Sequence, residues 1–100
     1  MKKITIKKNE QDIIAKILEQ HLPNHRVFAF GSRVTGKAKP FSDLDLIIVT
    51  KNTILPLTMY ALNHAFEESA LPFKVDILDS TTISDEFKKL IEKEWVIFPF

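Results

Sequence analysis

The sequence predicts an α/β layer fold. Three observations lead there. Short apolar runs at 26–30, 43–50 and 73–78 have the length of buried strands. Between and around them, apolar residues recur at helical spacing. Prolines and polar residues separate the two kinds of segment, and strands alternating with helices build a sheet with helices packed on it.

Taken in order, residues 3–6 (Lys-Ile-Thr-Ile) read as a short strand or an extended lead-in. Asn9 is placed to cap a helix over about 10–22, where Ile13, Ile14, Ile17, Leu18 and Leu22 share a face. Pro23-Asn24 breaks that helix. Residues 26–30 (Arg-Val-Phe-Ala-Phe) form a strand, and a loop with one short helical turn covers 32–42. The second strand, 43–50, carries Leu46, Ile47, Ile48 and Val49. Pro56 suits the first turn of a helix over about 56–69, and Pro72 marks the next turn. Residues 73–78 are the third strand. Ser84 or Asp85 starts a last helix with Ile83, Phe87, Leu90 and Ile91 on its buried side, and 95–100 is a final short strand. Tyr60 and Phe66, at helical spacing, read as packing residues. Neither repeats nor a linker interrupt the chain, so 1–100 is expected to be one domain.

Composition narrows the function. Hydrophobic residues at 45% suit a packed core rather than a disordered chain. A net charge of +1 supplies no field for nucleic acid or an acidic membrane, and no direct nucleic-acid binding is expected. With no cysteine there are no disulfides, thiol nucleophiles or Cys-ligated metals, which fits a cytoplasmic protein. No signal peptide and no apolar run near the roughly 18 residues of a membrane span is visible.

Two features carry chemistry. Asp43 and Asp45 lie two apart on a strand, so both point to the same face. Such a pair repels itself, and a divalent cation relieves it. Oxygen-only ligation suits Mg²⁺, which keeps waters and completes its shell with substrate phosphates. Asp76 sits inside the apolar third strand, where a charge is costly without compensation. If that strand lies beside 43–50, three carboxylates can hold two metals. The other feature is Gly31-Ser32, which ends a strand and opens a turn. Glycine allows close backbone approach, and the amides with the Ser32 hydroxyl can hold phosphate oxygens. Arg33 either reaches phosphate or lies on the surface. This is not a P-loop, because Ala38 stands where Ser or Thr is required after Lys37. Lys37 and Lys39 read as solvated loop charges, Ser42 and Asp79 as turn residues. His21, His25 and His64 share no metal-ligand spacing.

The pattern Gly31-Ser32, ten residues, Asp43-Leu44-Asp45, then a strand-borne Asp76, resembles the DNA polymerase β-like nucleotidyltransferases. The text "GSRVTGKAKPFSDLDLIIV" and the small size are most similar to the minimal nucleotidyltransferases, including the MNT antitoxins encoded beside HEPN proteins. Four such fixed positions coincide by chance in roughly one sequence in a thousand. Many relatives carry Ala-Arg before the second glycine, whereas this chain has Val34-Thr35, one cation fewer in the loop.

The resemblance implies a palm fold, a small mixed sheet with helices packed on it. It implies transfer of AMP from ATP to a hydroxyl with two Mg²⁺ ions. Gly31, Ser32 and Arg33 would bind the nucleotide. Asp43, Asp45 and Asp76 would be catalytic metal ligands, with Asp76 helping to deprotonate the acceptor. The chain reaches Phe100 directly after its last core element, leaving little for an acceptor pocket. The acceptor is therefore expected on a partner, which the resemblance makes a helical HEPN toxin modified on a tyrosine. A catalytic subunit modifying a small molecule such as an antibiotic, and a non-catalytic antitoxin acting by contact, are the alternatives. The apolar C-terminal "EWVIFPF" offers an interface for such a partner or for a homodimer.

Overall fold

The computed structural model describes residues 3–100. Residues 3–7 are an extended lead-in without a strand. They are tied down by the Thr5 N–H, which donates to the Arg33 carbonyl at 2.6 Å. Helix α1 spans Lys8–His21, β1 Arg26–Phe30, and α2 is one turn at Ser32–Thr35. Then come β2 at Leu44–Val49, α3 at Pro56–Glu67 and β3 at Val75–Asp79. A 3-10 turn at Ser80–Thr82 leads to α4 at Asp85–Glu92 and β4 at Val96–Ile97.

The four strands form one mixed sheet in the order β3-β2-β1-β4. β1 runs antiparallel to both neighbours, and β2 is parallel to β3. A parallel pair needs a crossover, and α3 supplies it. The pleat divides β2 in two. Leu44, Leu46 and Ile48 face the main core with Val27, Ala29 and Val75, under Ile14 and Leu18 of α1 and Leu62 and Phe66 of α3. The other face carries Phe30 and Ile47, covered by Ile91 of α4, with Phe28, Leu78, Ile83 and Trp95 packed around them. Asp45 lies on this second face, at the end α4 leaves open.

Local details differ from the expectations in physically simple ways. Asn9 does not cap α1: the helix starts one residue before it, and the Glu10 carboxylate reaches back to accept the Lys7 N–H at 2.8 Å. Ser84 does cap α4, its hydroxyl accepting from the Phe87 N–H. Only Ile91 of α4 is buried, while Leu90 is 63% exposed. Tyr60 is 70% exposed, stacked on His64 one turn away rather than packed inside, whereas Phe66 is buried as expected. The last strand is two residues long. Phe98 still donates its N–H to the Val27 carbonyl, and Pro99 has no N–H to continue. Among the described residues, no helix is long and apolar enough to cross a membrane.

Asp79 shows what a carboxylate does for the fold itself. It is 5% exposed and accepts the Ile54 N–H at 2.7 Å, the Thr81 N–H at 2.8 Å and the Thr81 hydroxyl. Burial works to raise its pKa, but these three donors outweigh burial and hold it below the ordinary carboxylate value. A depressed folded pKa adds stability above the unfolded value, and that stability is lost as pH falls through the folded one. Asp79→Ala should therefore lower the unfolding free energy at neutral pH by about 1–3 kcal/mol, the cost of stranding a buried donor. In urea titrations the gap to the parent should narrow as the solution is acidified.

Candidate active site

The site is built where β1 ends and β2 and β3 begin. Phe30 pairs with Asp45, and Asp45 pairs with Asp76, so these three side chains line one face across adjacent strands. Gly31 follows with φ +80, a left-handed backbone that favours glycine. A Cβ there would overlap the Asp45 Oδ2 and stand 3.2 Å from its Cγ. Glycine is thus required twice, by its dihedral and by the carboxylate laid against it. Ser32 opens the single turn of α2, whose first N–H groups helical geometry leaves without intrahelical partners. Gly36 closes that turn in the left-handed conformation, φ +82.

The loop from 37 to 43 joins this turn to β2, and Arg33 holds it. The side chain is 4% exposed. Its Nε donates to the Ser42 carbonyl at 2.9 Å, Nη1 to the Thr5 carbonyl at 2.8 Å and Nη2 to the Pro40 carbonyl at 3.1 Å. The guanidinium carbon lies 3.9 Å from the centre of the Phe73 ring. Its donors are committed to loop carbonyls and its charge is stacked inside the protein, whereas the sequence places Arg33 either at phosphate or on the surface. Ser42 supports the same loop, accepting the Lys39 N–H at 2.8 Å. Lys37 and Lys39 are exposed.

The carboxylates are the electrostatic centre. Asp43 is exposed at the approach to β2, Asp45 is half-buried, and Asp76 is half-buried and ion-paired with Lys74 at 3.2 Å. Burial raises the Asp45 pKa most, and the negative charges of Asp76, Asp43 and Glu94 raise it further. Glu94 is the residue the sequence reading missed. Its Oε1 accepts the Gly31 N–H at 2.9 Å, from 63 positions along the chain. Only the docking of β4 beside β1 brings it there, and nothing in its own neighbourhood announces that.

As for a metal, the donor set is chemically suited to a hard divalent cation: carboxylates alone, mutually repelling, without sulfur or imidazole. Among the described residues, no three acidic or histidine side chains already close into a ligating group.

A family model described as "Polymerase beta, Nucleotidyltransferase" matches residues 12–98. The chain belongs to this nucleotidyltransferase family. It is 46% identical over 94 residues to a protein of Haemophilus influenzae described as a probable protein adenylyltransferase MntA, an alignment covering 94% of this chain and 82% of that one. Two solved structures share the nucleotidyltransferase fold. A toxin–antitoxin structure with AMP-PNP has a TM-score of 0.72 at 22% identity, over 89% of this chain and 72% of that one. The tri-AMPylated Shewanella oneidensis HEPN toxin in complex with its MNT antitoxin gives 0.68 at 19% identity, over 94% and 72%. The small mixed sheet with helices packed on it is the fold of these solved structures, and by its family the chain is a nucleotidyltransferase.

Two consequences can be measured on the nucleotidyltransferase by itself. Because the folded pKa of Asp45 is raised, its ionisation opposes folding as pH climbs from the unfolded value through the folded one. Asp45→Asn should therefore raise the unfolding free energy at neutral pH, by on the order of 1 kcal/mol. That gain should vanish in acid, as read from thermal melts across pH. Gly31→Ala should act the other way and cost about 1–3 kcal/mol in the same melts, since it combines a disfavoured dihedral with a steric overlap.

Proposed function

We propose that this protein is the antitoxin of a HEPN/MNT pair, transferring AMP from ATP to a tyrosine hydroxyl of a helical HEPN toxin with Mg²⁺ as its cofactor. The carrying observation is Asp45 set beside Asp76 on one sheet face, against the Gly31 turn, in a chain 46% identical to a protein named for protein adenylylation. The partner is supported by structural neighbours that are toxin–antitoxin complexes, one of them with an AMPylated HEPN toxin.

In this reading Gly31 lets the backbone approach the β and γ phosphates, and the Ser32 hydroxyl donates to them. Asp43 and Asp45 would hold both metal ions and Asp76 the second. Bound there, the ions stabilise negative charge on the attacking and departing oxygens. The acceptor oxygen attacks the α-phosphorus in line, forming one P–O bond as the bond to the bridging oxygen of pyrophosphate breaks. The acceptor proton passes to the Asp76 carboxylate. Asp76 suits this position because β3 is an edge strand and its carboxylate is half-exposed, within reach of a hydroxyl carried on another protein's surface. Arg33 acts at a distance, by fixing the loop that leads into Asp43.

Incubation with Mg²⁺, ATP and the product of the neighbouring gene, followed by intact mass of both chains, tests the reading. The partner should gain whole AMP units. Asp43→Asn should slow that gain by about 100-fold or more, the scale for losing one electrostatic stabiliser of a transition state, while remaining folded. A partner left at its unmodified mass by the parent protein would overturn the proposal. A small molecule modified in its place would favour the antibiotic-type alternative.

A further inference from the structure

The hydrogen bond between Glu94 and Gly31 carries an inference of its own, one that rests on the nucleotide-binding reading above. The Gly31 N–H lies at the entrance to the turn that would receive the triphosphate. A phosphate oxygen and a carboxylate oxygen ask the same thing of such a donor, and only one can sit there. In the structure the position is held by Glu94 Oε1 at 2.9 Å. We propose that Glu94 is a built-in competitor for the nucleotide's phosphate, an internal anion that must swing aside before ATP can seat.

The surroundings support this on two counts. The Asp45 carboxylate lies against Gly31 while Glu94 takes the Gly31 N–H, so Glu94 is added to a face that already carries Asp45 and Asp76. A further negative group there is costly unless it satisfies something, and the Gly31 donor is what it satisfies. The backbone beneath it is also firmly set. The Glu94 and Trp95 N–H groups both donate to the Ile91 carbonyl, at 3.1 and 2.9 Å. The Trp95 ring stacks on Phe28 with centroids 4.4 Å apart, and Val96 pairs with Ala29. Release therefore needs only rotation of a half-exposed glutamate side chain, with no movement of α4 or β4.

The cost follows from population arithmetic. Apparent affinity is the intrinsic affinity scaled by the fraction of molecules whose site is open. With Glu94 seated in about nine molecules of ten, nucleotide binding weakens about tenfold. The effect applies to any anion seeking the Gly31 amide, and a ligand that gains further contacts along its phosphate chain overcomes it most readily.

The test measures AMP-PNP binding at saturating Mg²⁺, by calorimetry, for the parent, Glu94→Ala and Glu94→Gln. Glu94→Ala should tighten binding about tenfold. Glu94→Gln should tighten it less, since its amide oxygen still accepts the bond without the charge. It also keeps the side chain's size, so the comparison survives if the alanine variant folds poorly. Trp95, the single tryptophan of the chain, adjoins Glu94, and its emission should shift on AMP-PNP addition in the parent and less in Glu94→Ala. Both variants binding as the parent does, or more weakly, would overturn the inference, and weaker binding would place Glu94 among the groups that hold the ligand. AMP-PNP binding to none of the three proteins would overturn the nucleotide-binding reading together with it.

Discussion

The register of β2 against β3 sets the candidate site of this protein. Asp45 lies beside Asp76 because the two strands run parallel with those residues paired, and α3 is the crossover that parallel pairing demands. A slip of one residue would turn Asp76 toward the main core and bring Ile77 to the site. The slip is opposed from the other face. Leu44 pairs with Val75 and Leu46 with Ile77, and these side chains pack into the core under α1 and α3. The apolar face thus places the charged one, and the energy that holds two like charges together comes from leucines and isoleucines behind them.

Two buried or half-buried aspartates of one sheet show opposite uses of the same side chain. Asp79 receives three donors and strengthens the fold. Asp45 sits among other carboxylates and weakens it. The difference lies in what faces each group. The end of β3 meets the N–H groups of a following turn and of the α3 approach, whereas the start of β2 meets further acids. Stability given up at the second place is the usual mark of a site kept ready for a cation or a reacting group.

Much of this was readable from residue order. The Gly-Ser turn, the spaced Asp43 and Asp45, and an aspartate inside an otherwise apolar strand are local signals, and each reports its own backbone state. Helix and strand positions followed from periodicity and from proline placement, as at Pro56. Features that depend on distant partners were not readable. Arg33 sits next to a phosphate-type turn and resembles an anion ligand, but its acceptors are carbonyls at 5, 40 and 42, which only the folded loop gathers. Glu94 is an ordinary helix-end glutamate until β4 docks beside β1. Leu90 and Tyr60 fit the apolar spacing of their helices yet stay exposed, because periodicity gives a helix face and not what covers it.

The Arg33 clamp has a consequence for how the protein breathes. One guanidinium joins the lead-in at Thr5 to the loop at Pro40 and Ser42, with Phe73 as its floor. Neither segment has regular structure of its own, and each borrows order from the same buried cation. They therefore form one cooperative unit for local opening, so that fraying of the lead-in and loosening of the approach to Asp43 are a single event. Ordering near the candidate site extends in this way to Thr5, well outside the stretch that carries the glycine turn and the aspartates.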